Sequence, residues 1–113
     1  MLNYHTQLRT LLLQTGVEVY FEAIEDKIAT PCISYMEVNN SSKAKGTTLR
    51  FSNLSYQIKV WAETILEANA IAEDIDSILS ANGFTRVSSQ DMVDAGLVMK
   101  ILRFNAIAYE KEA

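Results

Sequence analysis

LSYQIKVWA, Leu54 to Ala62, alternates without a break. Leu54, Tyr56, Ile58, Val60 and Ala62 fall on one side of an extended chain; Ser55, Gln57, Lys59 and Trp61 fall on the other. A period of two is the signature of a strand with one buried and one open face. Apolar side chains on one face of a sheet need a covering layer, so helices are expected against that face. Trp61 is the one misfit, a large ring on the polar side. It either lies under a neighbouring element or acts as an interface anchor.

Downstream, Thr64 and Glu67 form a T-x-x-E capping box, the start signal of a helix. Ala68, Ile71, Ile75, Ile78 and Leu79 make its buried stripe, and Gly83 is expected at the position just past its end. FTRVS, Phe84 to Ser88, reads as a short strand and SQDMVDAG as a turn region. Leu97 to Tyr109 is the longest strand-like run, with Val98, Leu102, Phe104, Ala106 and Ala108 on one face, interrupted by Lys100.

Upstream, NNSSKAKGTT, Asn39 to Thr48, is the most polar stretch of the chain. It lacks the G-x-x-x-x-G-K-[ST] order of a phosphate-binding loop, because Gly46 is followed by Thr47 and the lysine is missing from its place. Nor is it a linker, since both flanks belong to one sheet. It is expected to be a long basic loop spanning Asn39 to Asn53, poorly ordered alone and ordered against a partner. PCISYMEV before it reads as a strand that opens on Pro31 and ends near Val38. Cys32, Ser34, Met36 and Val38 share one face of it; Ile33, Tyr35 and Glu37 share the other. VEVYFEA, Val17 to Ala23, is a further strand. Leu2 to Gln14 is a helix carrying Tyr4, Leu8, Leu11 and Leu12 as a stripe and stopped by Gly16.

The order is therefore α-β-β-β-α-β-β. This predicts an α+β fold: an antiparallel sheet of four to five strands with two helices packed on one face, within one domain covering residues 1–113.

Composition narrows the function. At 113 residues with 49 % apolar and 21 % charged residues, the chain is ordinary globular material. One cysteine, Cys32, allows no intrachain disulfide and no cysteine-based zinc site. The sequence has no membrane-span-length apolar run and no leader pattern, so a soluble protein acting inside the cell that makes it is expected. A net charge of −4 argues against sequence-specific nucleic-acid binding. His5, the single histidine, sits near the end of the first helix and reads as a surface residue. Cys32 reads as a small buried apolar residue. Glu73/Asp74 and Asp91/Asp94 lack the ligand spacing of a calcium loop. No catalytic residue, metal or cofactor is expected.

Charge is unevenly distributed along the chain. From Val38 to Ala62 there are four basic residues, Lys43, Lys45, Arg50 and Lys59, and no acidic one. From Glu63 to Asp76 there are five acidic residues, Glu63, Glu67, Glu73, Asp74 and Asp76, and no basic one. These are either two solvated faces or two surfaces that complement each other between copies.

Four stretches in order carry a family resemblance. They are TPCISYMEVNN (Thr30 to Asn40), LSYQIKVWAET (Leu54 to Thr64), NGFTRVSS (Asn82 to Ser89) and VMKILRFNA (Val98 to Ala106). Together they resemble the small tail completion, or tail-to-head joining, proteins of long-tailed bacteriophages and prophages, relatives in architecture of the tail terminators. Cys32 departs from the pattern, standing where the family tends to carry an aromatic residue.

The resemblance implies a non-enzymatic assembly protein. It would form a hexameric ring at the head-proximal end of the tail tube, with the tail tube protein and head connector proteins as partners. It would be found in the virion tail, and as a soluble monomer in the bacterial host cytoplasm before assembly. On that reading Lys43, Lys45, Arg50, Trp61, Glu73 and Asp76 are the candidate interface residues. The competing reading is a ferredoxin-like small-molecule-binding or regulatory module, which would need a concave pocket with convergent polar groups. A small hydrolase or transferase fits less well, for want of any His, Cys or Gly-rich constellation.

Overall fold

A computed structural model describes the backbone of residues 5–21, 30–45, 49–94 and 96–111, and the side chains of 6–21, 30–39, 53–93 and 96–107. In chain order the elements are helix α1 (His5–Leu13), strands β1 (Glu18–Phe21), β2 (Cys32–Lys45) and β3 (Leu49–Ala62), helix α2 (Ile65–Ser80), and strands β4 (Thr85–Asp94) and β5 (Leu97–Lys111). The α+β order is the expected one. The five strands lie in one sheet in the order β1-β2-β3-β5-β4. The sheet is mixed: β2–β3, β3–β5 and β5–β4 are antiparallel, while the short edge strand β1 joins β2 in parallel.

The opening stretch behaves as its alternation requires. Leu54, Tyr56, Ile58, Val60 and Ala62 are all fully buried. They meet Ile33 and Tyr35 from β2, Leu102, Phe104 and Ala106 from β5, and the stripes of both helices, Leu8, Leu11, Leu12, Ala68, Ile71, Ala72, Ile75 and Leu79. One apolar core thus lies between one face of the sheet and the two helices. Burying each large side chain of this kind stabilises by roughly 1.5–3 kcal/mol, and this is what holds the layers together.

Three sequence expectations are corrected. Asn39 to Asn53 is not a loop: β2 continues to Lys45 and β3 begins at Leu49, paired from Asn39↔Ser55 to Lys45↔Leu49 across a register shift between Glu37 and Asn39. Polar Asn and Ser there gave no period-2 signal, yet backbone ladder bonds form without regard to side chain. The expected order or disorder of Gly46–Thr48 lies outside the described residues. SQDMVDAG is no turn region up to Asp94: β4 runs from Thr85 to Asp94, and Gly96, at φ +81°, follows it into β5. Gly83 is one place further from α2 than expected. The C-cap is Ala81, and Gly83, at φ +88°, takes the left-handed turn that a side chain would resist. Tyr4 lies outside the described residues, as does the side chain of His5.

The capping signal at α2 holds with a small change. Thr64 Oγ1 accepts from the Glu67 amide at 3.2 Å, and Glu67 Oε1 accepts from the Glu63 amide at 3.4 Å, one residue before the cap. Thr64→Ala is expected to lower stability by about 1 kcal/mol, equivalent to about 4–8 °C in Tm. Thermal unfolding followed by circular dichroism measures it, and an unchanged Tm would refute the cap.

Candidate functional site

β2, β3 and β5 continue past Leu54 and Ala106, the last core row among the described side chains. Leu49 stands between Lys45 and Lys111, and Arg50 between Ala44 and Glu110, so three strands extend as a blade past the core rows. The molecule is accordingly elongated, 52 Å by 26 Å by 22 Å. Lys43, Lys45 and Arg50 all belong to this blade. They do not form one cluster in the pleat. Lys43 and Lys45 share one phase of β2, whereas Arg50 is in register with Ala44, which lies in the other phase.

Glu73 and Asp76 lie away from the blade, on α2. They line a shallow cleft of about 190 Å³ with Asn69, Arg86, Ser89 and Lys100, between α2 and the β4–β5 hairpin. Asp76 Oδ1 is 3.7 Å from Arg86 Nε. Both side chains are largely exposed, so this pair contributes little, within ~1 kcal/mol. The chain therefore carries its basic blade and its acidic helix at separate places and does not bring them together.

Trp61 lies on the sheet face opposite the helices, in register with Cys32 and Met99. It is half-buried, and its indole N–H donates to Ser34 Oγ at 3.3 Å. That answers the misfit in the alternation: the ring is bound to its own sheet. Cys32 beside it is fully buried, and burial, with the nearby Glu18 carboxylate second, pushes its thiol up to about 11. At pH 8 it stays a thiol in the folded chain. Iodoacetamide is expected to label Cys32 at pH 8 at least ~10-fold more slowly in the folded chain than in urea; equal rates would show the site is open.

Sequence reading missed the other ion pair of the cleft. Lys100 breaks the apolar phase of β5, and its ammonium reaches Asp91 Oδ1 on β4 at 2.7 Å. A lysine inside an apolar period signals such a pair, but the polar run around Asp91 reads as a turn and hides the partner strand. Asp91 is thus held by a cation of the chain. Among the described residues no group of three or more His, Cys, Asp or Glu is placed to hold a metal ion. The cleft is also below the roughly 300–1,000 Å³ usual for small-molecule sites, and open. No helix of the described residues is long and apolar enough to cross a membrane.

The chain matches the family model described as tail completion protein gp17 over residues 2–106. None of the curated proteins matches. Among solved structures, a chain from the virion of a native gene transfer agent particle superposes with a TM-score of 0.69 at 18 % identity, over 94 % of this chain and 91 % of that one. A second solved chain superposes with a TM-score of 0.52 at 11 % identity, over 97 % and 91 %. At these identities the likeness is one of fold.

Proposed function

The chain belongs to the tail completion protein gp17 family, and from that premise we propose that it caps the head-proximal end of a phage tail tube as a ring and joins the tail to the head connector. Membership makes it a structural component of tail assembly. The match over residues 2–106 is the observation that carries the reading. It takes in both helices and all of the sheet except the last residues of β5. A chain of the same fold in a gene transfer agent virion supports it. The hexameric ring, the tube and connector partners, and a soluble monomeric state before assembly are part of the proposal.

The geometry suits such a role. A ring of identical copies needs two different surfaces on each copy, one meeting the other on its neighbour. The blade that carries Lys43, Lys45 and Arg50 and the α2 side that carries Glu73 and Asp76 are two such surfaces, opposite in charge and apart in space. Trp61 is the weakest of the six candidates, because its polar atom is already satisfied within the chain.

Electron microscopy tests the reading directly. Tail tubes incubated with the purified chain are expected to carry a ring at one end and to become competent for joining to heads. Tubes that bind no protein at either end would overturn it.

A further inference from the structure

We propose that copies of this chain join by strand addition, the outer edge of β4 in one copy pairing antiparallel with the outer edge of distal β2 in the next, so that the sheets close into one continuous barrel. This rests on the ring reading above and specifies the contact that makes the ring.

Among the described residues, both edges lack a flanking strand over a long distance. β1 pairs with β2 from Cys32 to Tyr35. Beyond that, from Val38 to Lys45, no described strand lies outside β2. At the other side of the sheet β4 pairs with β5 alone, and no described strand flanks Thr85 to Asp94. Backbone N–H and C=O groups on such edges are templates for another chain. Val87, Met92 and Val93 are exposed along β4, so this edge is not shielded by charge alone.

The two edges are also complementary in direction and height. Three antiparallel steps separate β2 from β4, so β4 runs opposite to β2. Copies related by rotation about a ring axis keep that relation, and the new pair is antiparallel, with the perpendicular ladder bonds that geometry allows. Asn39, Ser55, Asn105 and Thr85 stand in one row across the sheet. From that row β4 extends toward the Ala62 end, and the open part of β2 extends the other way, toward Lys45. Matching the two edges therefore shifts the next copy along the strands by roughly six or seven rows, about 20–23 Å, for every four strands, about 19 Å across. Such a stagger means strands tilted about 45–50° to the ring axis, close to the roughly 35–45° of closed β-barrels. In a flat assembly the stagger would leave the edges unmatched; in a tilted ring it is required.

Hydrogen exchange on free chain and on rings isolated at tail ends tests this. Alternate amides in both Val38–Lys45 and Thr85–Asp94 are expected to slow by about tenfold or more on assembly. Rings whose edge amides exchange as in the free chain would overturn the strand contact while leaving the ring reading intact, as would protection of one edge without the other, the mark of a different partner. Absence of wild-type rings would overturn both. Proline gives the second arm. Ser89 and Gln90 are neighbours in β4, so their N–H groups point to opposite sides of the strand, one toward β5 and one outward. Ser89→Pro and Gln90→Pro, made separately, are expected to give one variant that unfolds and one that folds normally yet forms no ring, because proline is tolerated only where the N–H faces away from the ladder. Rings from the folded variant would overturn the proposal.

Discussion

Phe104→Ala is expected to destabilise the folded chain by about 3–5 kcal/mol, enough to remove a large share of a typical 5–15 kcal/mol. Phe104 is fully buried and stands in register with Tyr56, so it fills the centre of the layer between sheet and helices. Tyr56 in turn holds the Phe84 ring at 6.2 Å, which ties the entry to β4 to the same centre. No neighbour in a packed core relaxes far enough to fill a hole of that size. Phe104→Leu keeps most of the volume and is expected to cost less than about 1.5 kcal/mol. Arg103→Ala, one residue away, is the control. It removes an exposed 3.1 Å bond to Gln57 and should change stability by less than about 0.5 kcal/mol. Urea denaturation of the three variants checks the ranking. Equal losses at 103 and 104 would mean the sheet faces are assigned the wrong way round.

The second large effect is on assembly rather than stability. Lys43→Glu and Lys45→Glu, combined with Arg50→Gln, are expected to leave the fold intact and to abolish ring formation. Arg50 is taken to Gln because Glu would stand in register with Glu110, and like charges directly opposite destabilise a sheet. Three altered charges at roughly 0.5–1 kcal/mol each amount to about 1.5–3 kcal/mol per interface, one to two powers of ten in affinity. A closed ring repeats that loss at every contact. Raised salt should weaken wild-type rings in the same direction. Native gels and electron microscopy with tail tubes provide the readout. Rings that form unchanged from the triple variant would remove the blade from the interface.

Much of this fold could be read from the sequence because its signals are local. A period of two over Leu54–Ala62 placed five residues in the core, and all five are there. Thr64 and Glu67 marked a helix start that the hydrogen bonds bear out. Leu8, Leu11 and Leu12 pointed to one face of α1 and are buried together. Signals failed where the side chains were polar. Asn39–Lys45 and Ser89–Asp94 have no apolar period to announce a strand, and both are strands. Their partners hold them, and those partners come from distant sequence.

Sequence by itself determined the layers: which residues face inward, where the helices begin, and that charge divides into a basic and an acidic stretch. Each of these depends on neighbours within a few residues, through side-chain alternation, capping bonds and composition. Tertiary structure alone decided that β5 lies between β3 and β4, that β1 joins in parallel, and that Lys100 in an apolar phase finds Asp91 across the hairpin. It also decided that the basic stretch lies on strands, as a blade away from the acidic helix. Backbone hydrogen bonds make these choices. Every residue but proline offers the same donor and acceptor, so pairing is settled by where the packed core places each strand.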